Sequence, residues 1–122
     1  MKRNESPLQV KSEAFTERII KLYLYLTKKK HELIMSKQIY RSGTSIGANI
    51  AESRNAQSLA DFINKLSIAL KESDETEYWL KSLYSGGFLN NKEFESIHHD
   101  NIEITKMLTS SIKTIKQKIG KL

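Results

Sequence analysis

Apolar residues recur at three- and four-residue intervals in four stretches of the chain, and the breaks between them carry helix start and stop signals. In the first stretch Leu8, Phe15, Ile19, Leu22, Tyr23 and Leu26 fall on one stripe. Ser6-Pro7-Leu8-Gln9 opens it with a serine cap, a proline where the missing N–H costs nothing, and a glutamine three residues after the cap. Lys28-Lys29-Lys30 closes it, where cations suit the helix dipole. The spacing predicts a helix over about residues 7–30.

Ser36 is the expected cap of a second helix, about residues 36–56, with Ile39, Gly43, Ile46, Ile50 and Ser53 on its core face. Ser58-Leu59-Ala60-Asp61 reads as a capping box for a third, about residues 58–85, with Phe62, Leu66, Ala69, Ser73, Leu80 and Tyr84 as its stripe. Gly86-Gly87 stops it, and Phe88 supplies the apolar contact that follows such a stop. Asn90, with Glu93 three residues later, opens the fourth, about residues 91–120, whose stripe is Phe94, Ile97, Ile104, Leu108, Ile112, Ile115 and Ile119. Short connections force sequence neighbours to run antiparallel. The expected fold is all-α: an up-down-up-down antiparallel four-helix bundle forming a single domain over residues 1–122.

Composition agrees with that picture and removes several chemistries. Of the 122 residues 39% are hydrophobic and 28% charged, with one proline and five glycines, which suits long amphipathic elements. Without cysteine there are no disulfides, no thiol catalysis and no sulfur-ligated zinc. The opening MKRNESPLQ holds no apolar h-region and no run is long enough to span a bilayer, so a cytoplasmic protein with no membrane partner is expected. The net charge of +6 permits an anionic partner without requiring one.

Residues 41–52, RSGTSIGANIAE, place Gly43 and Gly47 four apart among small hydroxyl residues. A phosphate loop needs GxxxxGK[ST] after a strand, and a dinucleotide site needs GxGxxG in a βαβ unit; neither pattern is present. On a helical wheel Arg41, Ser45, Ala48, Glu52 and Asn55 lie opposite the core face. The helix is therefore small on two sides. Each glycine inside it costs about 1 kcal/mol relative to alanine, an expense that close packing within the bundle offsets. Ser45 and Ala48, together with the off-stripe residues Ile20, Leu24, Ile68 and Trp79, form the expected oligomer interface.

The segment SKQIYRSGTSIGANIAE (Ser36 to Glu52), then DFINKLSIALKES and EYWL, resembles the bacterial four-helix bundle family of 23S rRNA intervening-sequence proteins, also called S23-type proteins. The likeness runs from KLY at Lys21–Tyr23 to GFL at Gly87–Leu89. It implies a bundle assembling into a ring, typically a homopentamer, with no catalytic residues and no cofactor. Members are often encoded within intervening sequences of large-subunit rRNA genes. A related bundle, the accessory protein of diversity-generating retroelements, is similar in fold and binds nucleic acid and a reverse transcriptase; nothing here marks that subgroup.

In an up-down bundle Lys28, Lys29, Lys30 and Lys37 gather at one end. Lys2, Arg3, Arg54, Lys116, Lys118 and Lys121 gather at the other, with an acidic band of Glu72, Asp74, Glu75 and Glu77 between. The nucleic-acid contact candidates are Lys28, Lys29, Lys30, Lys37, Arg41, Arg54, Lys116 and Lys118, reading backbone or shape rather than sequence. Helix-end capping and solubility are the alternative purpose of the terminal lysines.

A di-iron bundle needs two ExxH motifs, and only Glu95-Ser96-Ile97-His98 supplies one, so no metal site is expected. Glu77 is placed near His98 and Asn101 by the turn at Gly86-Gly87, as a polar pairing that fixes register. The expected function is a non-enzymatic, oligomeric bundle that binds structured RNA, or DNA, through basic surfaces. The alternative is a protein-interaction scaffold whose ligand is another protein or its own ring.

Overall fold

The computed structural model describes residues 6–121. Four helices make up the fold: α1 (Pro7–Lys28), α2 (Met35–Ser53), α3 (Leu59–Ser85) and α4 (Asn91–Gly120), with no strand among the described residues. Lys2 and Arg3 lie outside those residues.

Local chemistry sets most of the boundaries. The Ser6 hydroxyl accepts from the Gln9 amide at 3.1 Å and Pro7 begins α1. Asn90 and Glu93 cap α4 reciprocally, the Asn90 side chain taking the Glu93 amide at 2.8 Å and the Glu93 carboxylate taking the Asn90 amide at 2.9 Å. At the end of α3 the left-handed residue is Gly87, φ 81°, and the Phe88 amide reaches back to the Leu83 carbonyl at 2.9 Å. The Ser58 hydroxyl accepts from Asp61 N at 3.0 Å, but the Asp61 carboxylate takes the Gln57 amide, one residue before the box position.

The start of α2 corrects the expected cap. Ser36 is buried in the first turn, and Glu32 does the capping: its carboxylate accepts the amides of Ile34, Met35 and Ser36 at 3.2, 3.0 and 2.7 Å. A carboxylate serves three orphan donors and the helix dipole together, where a serine hydroxyl serves one donor. His31 makes this possible by turning the chain through a left-handed conformation, φ 55°. The other end of α2 comes early, at Ser53, because the Arg54, Asn55 and Ala56 amides bond three residues back and tighten the chain into turns.

One core draws on all four helices, centred on Phe15, Ile19, Leu26, Ile39, Ile46, Leu66, Leu80, Ile104 and Leu108. Pairs along each seam run in opposed order. Gly43 meets Ile19 while Gly47 meets Thr16; Arg41 meets Glu72 and Glu75 while Glu52 meets Lys65; Ser73 meets Asn101 while Glu77 meets His98; and Lys11 meets Glu103 while Arg18 meets Ser96.

Three stripe positions depart from the pattern. Tyr23 is half-buried at the α1/α2 seam, its ring 4.8 Å from that of Tyr40. Tyr84 is 40% exposed, and the neighbouring Leu83 fills the core instead, because a tyrosine needs a partner for its hydroxyl, which donates to Asn91 Oδ1, while a leucine has no such need. Ile119 is exposed because α4 buries nothing beyond Ile112.

Candidate nucleic-acid interface and assembly surface

The basic candidates divide by whether an acid already holds them. Lys28, Lys29 and Lys30 at the end of α1, Lys37 in the first turn of α2, Arg54 just after α2, and Lys116 and Lys118 in the last turns of α4 are all exposed. None of the seven forms an ion pair among the described residues. Lys30 lies over the Tyr25 ring, 5.7 Å from its centroid. Arg41 is different. Its guanidinium bridges Glu72, at 3.2 Å, and Glu75 across the α2/α3 seam. The bond from Arg41 holds the Glu75 carboxyl below its ordinary pKa, and Glu75 in turn holds the guanidinium above its own. Arg41 therefore closes a seam and offers a phosphate little unspent charge.

The glycines are used inside the bundle. A Cβ on Gly43 would sit 2.7 Å from Ile19 Cγ1, and one on Gly47 would sit 2.7 Å from Thr16 Oγ1, so α1 lies directly against both. Ala48 is exposed on the outer side of α2 and Ser45 is half-exposed beside it. Ile20 and Leu24 are 39% and 43% exposed on α1. Ile68 and Trp79 are only partly open: Trp79 packs against the core and edge-on to Tyr78, ring centroids 5.0 Å apart. Leu33 and Ile34, at 59% and 77% exposed, form the most open aliphatic pair and escaped the helical pattern because they sit in a turn. The only available signal was their position, two aliphatics following a lysine run.

The model of the 23S rRNA-intervening sequence protein family matches residues 6–110. The chain belongs to this family. A solved structure from Bacteroides thetaiotaomicron, a protein with unknown function from the S23 ribosomal protein family, shares 55% identity and a TM-score of 0.86. That likeness covers 87% of this chain and 95% of that one. Among curated proteins there is no match.

Polar side chains at the seams of this family member link its helices. His98 Nε2 lies 2.8 Å from Glu77 Oε2, as the turn geometry implied, and its ring stacks on Phe94, which stacks in turn on Tyr84. Asn101 goes to Ser73 instead, its amide nitrogen donating to the Ser73 carbonyl and hydroxyl at 3.2 and 3.0 Å. Thr76 Oγ1 lies 3.0 Å from Ser42 Oγ, tying α3 to α2.

The α1/α4 seam is held differently, by ions. Lys11 reaches Asp100 and Glu103 at 2.9 and 2.7 Å, and Arg18 reaches Asp100 and the Ser96 side chain at 2.8 and 2.9 Å. His99, Asp100 and Glu103 bring possible metal ligands within 4.8 Å of one another, but Lys11 and Arg18 already occupy the two carboxylates. Glu95 of the ExxH motif is exposed, and its His98 is engaged by Glu77. No helix among the described residues is long and apolar enough to cross a membrane.

Proposed function

We propose that this chain is a non-enzymatic, single-domain, cytoplasmic bundle of up-down-up-down topology, that its copies close into a ring, a pentamer by family likeness, and that it binds structured RNA through its basic ends. One observation carries the RNA reading. Lys28, Lys29, Lys30 and Lys37 at the α1/α2 end, and Lys116 and Lys118 in the last turns of α4, are exposed and form no ion pair among the described residues. The opposed order of contacts at all four seams supports the topology. The family's name, which refers to 23S rRNA, supports the choice of nucleic acid.

A ring multiplies such ends and concentrates positive potential, so binding falls steeply with salt. The test is fluorescence anisotropy of a labelled, structured RNA across a salt series, with charge reversal at Lys28, Lys29 and Lys30 together and at Arg54. The expected result is affinity that persists at physiological salt with a log–log slope worth about four phosphates or more, reduced in the variants. Binding confined to low salt would set the reading aside. Leu33 and Ile34 favour a second reading, a protein-interaction scaffold, because an aliphatic pair this open finds little use in water. Pull-downs that lose a partner on Ile34→Glu would support it.

A further inference from the structure

The Lys11, Arg18 and Asp100 ion pairs cross the α1/α4 seam, and beside that clasp lies an open cleft of about 480 Å³. This lies within the size range of small-ligand sites, roughly 300–1,000 Å³. Its floor is apolar, formed by Leu22 and Leu89. Tyr25 makes one wall, and the exposed ammonium groups of Lys21 and Lys92 border it from α1 and α4. Glu93 also lines the cleft, but its carboxylate is committed to the Asn90 amide as half of the helix cap. Arg18 is likewise spent, on Asp100 and Ser96. The free charge facing an incoming ligand is therefore cationic.

An apolar floor rejects a bare phosphate, which keeps its water, and cations reject a purely apolar guest. A planar aromatic group carrying phosphates on either side satisfies both. We propose that this cleft seats one unpaired nucleotide of an RNA strand, its base against Tyr25 and its flanking phosphates on Lys21 and Lys92. Duplex bases are stacked away from such a wall, so the occupant comes from a loop, bulge or single strand. The inference rests on the nucleic-acid reading above and assigns it a site.

The test is anisotropy with the full chain, using an unstructured RNA of about twelve nucleotides, comparable to single-strand site sizes, and a duplex of the same length. The expected results are preference for the single strand, loss of about tenfold affinity in Tyr25→Leu, and near-normal affinity in Tyr25→Phe, which keeps the stacking face. The pair Lys21→Glu and Lys92→Glu, both at exposed positions, lowers the log–log salt slope by about 1.4, the worth of two single-strand phosphates. Wild-type RNA binding that neither the lysine pair nor Tyr25→Leu alters would overturn the cleft and leave the RNA reading standing. No binding to any RNA at physiological salt overturns both. Duplex bound as tightly as single strand, or AMP bound as tightly as the oligonucleotide, also removes the proposal.

Discussion

Gly43 of α2 lies so close to Ile19 of α1 that a Cβ on it would sit within 2.9 Å of three Ile19 side-chain carbons. Ile19 is fully buried and branched at Cβ, so it has no free rotamer into which to retreat. Gly43→Ala gains up to about 1 kcal/mol of helix propensity and loses about 1–3 kcal/mol to overpacking. The expected outcome is a lower melting temperature. Gly47→Ala meets only the Thr16 hydroxyl at that range, with the next atom at 3.6 Å, and a half-buried threonine rotates more cheaply. Thermal melts should rank Gly43→Ala below Gly47→Ala; the reverse order would remove the close-approach account.

Glu32 gives a second prediction. It is buried and accepts three amides at the start of α2. Glu32→Ala strands those donors, and the loss of a helix cap costs about 0.5–2 kcal/mol. Glu32→Gln keeps an acceptor oxygen and loses less. Urea unfolding that finds Ser36→Ala more damaging than Glu32→Ala would return the cap to the serine.

These two cases show what was legible in the chain and why the rest was not. Ile39, Ile46 and Ile50 were readable as a core face because the 3.6-residue period does not depend on neighbours, and all three are buried. The Glu32 cap was not, because it depends on His31 adopting a left-handed turn that no local pattern requires. The choice between Leu83 and Tyr84 hangs on a rotation of one residue in a stripe where both are apolar. Arg41 looked free because its acids lie 31 and 34 residues away, joined to it only once the register of α2 on α3 is set. The cleft beside Tyr25 has no signal in the chain, since it comes from how α1, α4 and the turn before α4 come together.

The clasp between α1 and α4 predicts an acid limit to stability. Burial alone would raise the Asp100 pKa, but hydrogen bonds from Lys11 and Arg18, with their charge, outweigh it and hold the carboxyl below its ordinary value. The bond from Lys11 also lowers Glu103. A carboxyl depressed in the folded state contributes stability that is complete above its unfolded pKa, about 3.9 for aspartate, and that is lost as pH falls through the folded value. Melting temperature should therefore fall as pH drops below about 4. Asp100→Asn should melt lower at neutral pH and show a shallower acid decline. An unaltered pH profile in Asp100→Asn would show that the clasp does not govern it.

Glu77 and His98 join α3 to α4 across their seam, His98 Nε2 lying 2.8 Å from Glu77 Oε2. Both side chains keep some contact with water, so the pair is worth no more than about 1 kcal/mol. Glu77→Ala should lower the melting temperature slightly and leave RNA affinity and its salt slope unchanged. An unchanged melting temperature would show that the pairing contributes nothing, and a changed slope would move Glu77 into the nucleic-acid surface.

Ile20 and Leu24 lie one turn apart on α1, exposed and off the core stripe, while the outer side of α2 carries the small residues Ser45 and Ala48. An aliphatic ridge on one helix and a surface with little bulk on another are faces that a second copy can close against, and burying what remains exposed of the two ridge residues, 39% and 43%, is worth roughly 1 kcal/mol each. Repeated around a ring, that contact is made once by every subunit on each side. Sedimentation velocity at micromolar concentration should give a mass several times the 14.1 kDa of one chain. Ile20→Asp with Leu24→Asp should return it to a single chain without unfolding it, since neither residue belongs to the core. A wild-type species at the mass of one chain would end both the interface and the ring, whereas an intact oligomer in the double variant would move the interface to Leu33, Ile34 and the turn that carries them.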